Sequence, residues 1–514
     1  MEIQGNMNNL NWIAGGWSLG GSIAFAIGGQ LSDYFGRKGV VLAGQVLLLV
    51  GHLLGATAQT FNQLIAAMVI LGAGAGLVFV IYPGISEMLP NKWRAFGLAI
   101  TEIFISGIGT FGALIGRRLT ADATWRWIFI LGDIAGIIAL VGTILAYHPP
   151  RRVFSDRTKR EILSELDYVG LFMYVAGMTF LLLGLGWPGS GVPWRSAKVI
   201  ITIIVGGVVL ILTAVWDFSG IPRRPLFAPR LFRNFRGYAS LLIINCSSGL
   251  AHIALTSLVP QQIQLVFTSD PTTAGWYNVP SGVGSSIGGI VIGGLVARMG
   301  HVPIQLAVAN IIQAVCCGLL SIVTPQRVAE ALVLHAFANL PFLWTLIVCY
   351  ATAGVHVPHR DIGLAYGLLG ATRYLGGAVG STVLNTILRT EAAFKVPERV
   401  IEAVRPFGIP ASKVNDLIAV INQAPPDNVT DFPLNVQDAA ITAIRWGYSD
   451  AFKYVWYTSV PFFVVACIVS PFVQDPSPYF TNHTAVTMGK PQAQQAREQI
   501  AKHEKAGIAH TSQP

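Results

Sequence analysis

Apolar residues fill this chain in long runs, and short stretches holding most of its charges and turn residues break those runs at near-regular intervals. A helix that crosses a bilayer needs roughly 20 apolar residues. Thirteen runs reach that length: 12–32, 39–58, 64–83, 97–116, 127–147, 167–187, 198–217, 238–258, 274–297, 303–323, 330–352, 361–388 and 451–473. No water is available in lipid to pair backbone N–H and C=O groups, so each run predicts a helix. The pattern reads as an all-α integral membrane protein.

Composition strengthens that reading. Hydrophobic residues make up 53% and charged residues 11%, against about 25% charge in a soluble domain. The net charge of +9 is spread over short loops between apolar runs, which argues against a nucleic-acid partner. If the loop after the first run is cytoplasmic, the short loops on that side hold sixteen Lys and Arg, from Arg37 and Lys38 to Arg298 and Arg360, against six opposite. That bias orients the chain. Segment 389–450 then falls outside the cell and carries Asn428-Val429-Thr430, a glycosylation acceptor. Residues 474–514 are polar and predict a disordered cytoplasmic tail. The five cysteines lie inside apolar runs, where they act as small core residues, and the sequence implies no metal or cofactor. It shows no GxxxxGK[ST] and no HExxH, so neither ATP-driven transport nor enzyme activity is expected.

An internal repeat appears at an offset of 264. Trp12 meets Trp276, Ser22-Ile23 meets Ser286-Ile287, Gly29 meets Gly293, Gly36 meets Gly300, and Gly112 and Gly116 meet Gly376 and Gly380. Parallel halves of this kind are one of the transporter architectures. The run at 238–258 has no partner ahead of residue 12, so the expectation is thirteen spans with a first helix missing. The predicted organisation is an N-terminal bundle 1–147, a linker 148–237 with two central helices, a C-terminal bundle 238–473 including the outer loop, and the tail.

The hairpin GGQLSDYFGRKG at 28–39 resembles the G-x-L-x-D-x-x-G-R-K motif of the major facilitator superfamily, through Gly29, Leu31, Asp33, Gly36, Arg37 and Lys38. Two central helices resemble the fourteen-span drug:proton antiporter branch, as does Trp125-Arg126-Trp127-Ile128-Phe129. Pro90-Asn91-Lys92-Trp93-Arg94 and Thr372-Arg373-Tyr374-Leu375-Gly376-Gly377 look like fungal trichothecene efflux pump relatives. The resemblance covers nearly the whole chain to about residue 475. Met68 stands where the wider family has Arg, and the glycines at 107–112 lack the antiporters' proline.

This resemblance implies a secondary transporter, with two bundles rocking around a central cavity. It places Asp33 against the start of the 361–388 helix, whose N-terminus favours an anion. Glu87 is expected to pair with Arg37, latching the cytoplasmic side, while Gly36 permits the tight reversal. Among the ionisable groups within the apolar runs, Arg373, Glu102 and Asp133 are singled out, while His52, His252 and His335 read as packing residues. Arg373 needs a protein or water partner and is a candidate for substrate contact. Glu102 is a candidate proton carrier, whereas Asp133 is expected to pair with Arg126. Trp12, Trp17, Phe79, Tyr82, Phe104, Tyr366 and Tyr374 are candidates to line an apolar cavity. The expected activity is proton-coupled efflux of a small amphipathic toxin, drug or secondary metabolite by a monomer in the lipid bilayer of the plasma membrane. Siderophore uptake on the same fold and a truncated non-transporting protein are the alternatives.

Overall fold

The computed structural model describes residues 11–148, 161, 164–358, 361–410, 413–423 and 432–482. Asn428, Arg360, the basic run 151–160 and the tail from 483 lie outside the described residues. A long helix stands over each of the thirteen apolar runs. We label them with their extensions: α1 Asn11–Phe35, α2 Arg37–Ala56, α3 Phe61–Val78, α4 Ile81–Met88, α5 Arg94–Asp122, α6 Arg126–Ala146, α7 Tyr168–Gly186, α8 Ala197–Phe218, α9 Ser240–Gln262, α10 Pro271–Ser286, α11 Val302–Leu320, α12 Val328–His356, α13 Ile362–Val404, α14 Val414–Gln423 and α15 Leu434–Val469. The third run is split between α3 and α4 because the Pro83 ring would clash with the carbonyl four residues back, at Phe79. α10 continues through wider and tighter turns to Met299.

Eleven of these helices, among the described residues, are long and apolar enough to cross a membrane. The other two, α1 and α13, are diluted by glycine and serine, and they pack against each other at the centre of the molecule. A side chain on Gly29 would strike the Gly363 carbonyl and lie 2.9 Å from the Gly367 Cα. Gly370 and Gly21 leave room for the rings of Phe25 and Tyr374. Close backbone approach through small residues is what holds helices together in lipid, where apolar burial between helices supplies little. These two helices trade hydropathy for contact.

The repeat is visible in the backbone. Gly36 and Gly300, 264 residues apart, both turn their hairpins at positive φ, 84° and 61°. The two halves differ around α9. Gly376 on α13 receives the Cys246 carbonyl of α9 and Gly380 receives Leu250. At the counterpart Gly112 on α5 a Cβ would stand in open space, and at Gly116 it would meet only Ile128, at 3.5 Å. The central pair α7 and α8 pack on each other, and α7 also rests on α1 and α13.

Two expectations change. The 389–450 segment, read as a loop, is largely helical: α13 runs on to Val404 and α15 starts at Leu434. Val396, Val400 and Val404 recur every fourth residue and form an apolar core with Val414, Leu417 and Ile444, the pattern of a helix with one buried face. Nor are residues 474–482 a free tail, since they are bonded across one face of the molecule.

The seam yields a stability prediction. Gly29→Val should cost about 3 kcal/mol through overpacking, read as a lower melting temperature in detergent. Gly39→Ala, on α2 with open space around it, should leave melting unchanged or raise it.

Candidate functional site

Two features lie on the axis between the halves: a buried ion cluster at the arginine-rich face, and a cavity above it toward the opposite face.

The cluster is built on the glycine hairpin. Asp33, at the end of α1, accepts the backbone N–H of Gly363 at 3.2 Å and of Leu364 at 2.9 Å, two of the unpaired donors at the start of α13. Arg37, one turn further on, donates to Asp33 at 2.8 Å and to Glu87 of α4 at 2.7 Å. It also donates to Ser32, whose hydroxyl is bonded to the Gly29 carbonyl. Asp33, Arg37 and Glu87 are all at most 7% exposed. The halves meet at further points nearby. Tyr366 donates to Ser86 at 2.9 Å, and Arg94 donates to the Gly354 carbonyl at 2.6 Å. Thus Asp33, Gly36, Arg37 and Glu87 are brought together, with Asp33 on the predicted helix start.

Above this cluster is a column of rings. Phe25 stacks on Phe79 at 5.5 Å, Phe79 meets Tyr82 at 5.1 Å, Tyr82 meets Tyr350 at 5.4 Å, and Tyr350 meets Tyr366 at 4.9 Å. The cavity begins on this column and has a volume of about 460 Å³. Its α5 wall runs from Glu102 to Ala113, away from the arginine-rich end at Arg94. Most of the wall is apolar, with amide and hydroxyl groups from Asn278, Ser281 and Asn339.

Two ionisable side chains of opposite sign reach this cavity, Glu102 and Arg373. Tyr82 donates its hydroxyl to Glu102. The Arg373 guanidinium lies 4.1 Å from the centre of the Phe342 ring, a cation–π contact that partly offsets the cost of burying its charge. Its Nη1 is buried with no hydrogen-bond partner among the described residues. The His252 ring lies parallel to Phe342 at 3.4 Å. Phe342 is the functional contact that sequence reasoning missed. No local signal marks which of 26 phenylalanines meets a guanidinium.

Other expectations are sorted by the geometry. Trp17, Phe79, Tyr82 and Tyr374 line the cavity. Phe104 instead points outward and is 74% exposed, Tyr366 is taken up by its bond to Ser86, and Trp12 packs beside Gly15 and Gly186. Arg126 bonds the Ala58 carbonyl at 2.9 Å and lies over Trp125. The ionisable neighbour that Asp133 feels is His52 of α2, across the contact between α2 and α6.

Comparison with known proteins agrees with this architecture. Residues 2–503 match the family described as Fungal trichothecene efflux pump (TRI12). The chain is 27% identical over 493 residues to the trichothecene efflux pump TRI12 of Fusarium sporotrichioides, covering 94% of this chain and 82% of that protein. It is 27% identical over 452 residues to the MFS-type transporter prx5 of Penicillium rubens, covering 86% and 81%. Among solved structures, the human organic anion transporter MFSD10 (TETRAN) aligns with a TM-score of 0.51 at 16% identity over 90% of this chain and 83% of that one. A structure of proton-dependent oligopeptide transporters gives 0.51 at 14% identity, over 90% of each chain. These two show a shared fold. The paired bundles, the glycine hairpins and the match over nearly the whole sequence lead to one assignment: the chain belongs to the fungal trichothecene efflux pump family of major facilitator transporters.

Proposed function

We propose that this chain exports a small amphipathic toxin or secondary metabolite across the plasma membrane, as a monomer, in exchange for protons. The observation that carries the reading is the cavity itself. It is walled mainly by apolar and aromatic groups, contains one acid and one guanidinium, and ends on the rings of Phe25, Phe79, Tyr82 and Tyr350. Such a wall takes an apolar body, and a few placed polar groups orient it. Arg373, with an unspent N–H, reads an acceptor oxygen on the cargo. Glu102 is the proton carrier. It is protonated while the cavity faces outside and releases the proton when the arginine-rich face opens, as cargo enters. The positive-inside bias supports taking that face as cytoplasmic, with α14 and the outer ends of α13 and α15 outside.

The ion cluster is the cytoplasmic latch in this reading. Asp33 holds the start of α13 and Arg37 ties Asp33 to Glu87, so the face opens only when these bonds exchange for water. Breaking a buried pair by removing one partner costs more than the pair contributes, because a charge is left uncompensated.

Each role has a measurable outcome. In proteoliposomes with an imposed pH gradient, Glu102→Gln should abolish gradient-driven efflux while substrate counterflow persists. Full proton coupling in that variant would remove Glu102 from the mechanism. At the latch, Asp33→Asn should destabilise the protein by about 2 kcal/mol, because the bonds to Arg37 and to the Gly363 and Leu364 N–H groups weaken together. Glu87→Gln should cost about 1 kcal/mol, because Arg37 keeps Asp33. Thermal unfolding in detergent ranks the two.

A further inference from the structure

The motif Pro90-Asn91-Lys92-Trp93-Arg94 and the segment after α15 meet on the arginine-rich face, and neither has a part in the mechanism above. After Val473 the chain turns back under the C-terminal bundle. The Gln474 N–H bonds the Arg236 carbonyl at 2.7 Å. Asp475 accepts the Val302 N–H at 3.3 Å, and Ser477 accepts the His301 N–H at 3.1 Å while donating to Asp475 at 2.6 Å. These bonds satisfy backbone donors at the start of α11. The segment then crosses to the other bundle. Asn91 donates to the Tyr479 carbonyl at 3.2 Å, and the Lys92 N–H donates to the Thr481 carbonyl at 3.2 Å. The Tyr479 ring meets His356 at the end of α12 edge-on, at 5.6 Å.

We propose that residues 474–482 are a clasp over the arginine-rich face, and that Asn91, Asp475 and Ser477 are positioning residues of the transport cycle. The segment is fixed to the C-terminal bundle through the Arg236 loop and the start of α11, and to the N-terminal bundle through Asn91 and Lys92. If the halves part at this face, the span from Ser477 to Thr481 has to detach at one end. The bonds of Asn91 and Lys92 are neutral and lie between partly exposed groups, so that end releases. Such bonds are modest individually, which suits a catch that is broken and remade in every cycle. Lys92 and Asn91 thereby hold the gate shut without contacting cargo or proton.

The inference rests on rocking of the two bundles and not on the identity of the cargo, so the test reads opening directly. Ser86→Cys, buried at the gate, reports opening through its labelling rate with a membrane-impermeant maleimide in inside-out vesicles. Adding Asn91→Ala should raise that rate about threefold, and Asp475→Ala with Ser477→Ala should raise it further. Separately, Lys92→Cys with Thr481→Cys, joined by a short bis-maleimide, should stop transport, while either single variant treated alike transports normally. Unchanged labelling in both clasp variants, or transport continuing at the parent rate with the clasp cross-linked, would overturn the proposal. If the Asp475/Ser477 variant does not fold, the cross-link decides alone.

Discussion

Contact between α1 and α13 is the constraint on which the rest of this structure depends. Glycine on both helices lets the backbones touch, and that touch sets Asp33 beneath the first N–H groups of α13. A bulkier seam would push the carboxylate away from those donors and undo the cluster with Arg37 and Glu87. The same proximity brings Phe25 and Tyr374 to the cavity edge through the gaps at Gly370 and Gly21. Gate and cavity are thus both consequences of one pair of helices that gave up apolar side chains for closeness.

The cavity follows a related economy. Placing an ionisable side chain in the bilayer interior is expensive, and this protein places two there, each beside a neutral aromatic partner. Tyr82 serves Glu102 by hydrogen bonding, and Phe342 serves Arg373 through its ring face. Neither partner carries a charge opposite to the group it contacts. The Asp33–Arg37–Glu87 cluster is arranged the other way, with acids and base directly paired and buried.

Much of the architecture was legible because lipid imposes a blunt requirement on sequence. Each apolar run had to be a helix, and the glycine-led hairpins announced themselves by charge and spacing. The Asp33–Arg37–Glu87 grouping was reachable because it sits at a recognisable turn. Illegible parts came from longer-range geometry. Tyr82 reaches Glu102 only because Pro83 breaks the third run, and nothing in the run itself says which way the second piece turns. The outer ends of α13 and α15 had a readable signal in Val396, Val400 and Val404, hidden by the habit of ending a helix where lipid ends. The clasp was concealed by composition: a short polar stretch looks the same whether it wanders or is tied down by backbone bonds.

One helix joins the two ends of the molecule. α13 spans 43 residues, roughly 65 Å at helical rise, from the Asp33 carboxylate to the small apolar core around Val400 and Val404. In the proposed cycle, a tilt of α13 at the Asp33 cluster bears on the core that its far end helps to build. With that small core outside the cell, as proposed, a molecule gripping it would brake the cycle without entering the cavity, and a pair of fluorophores there would report each stroke.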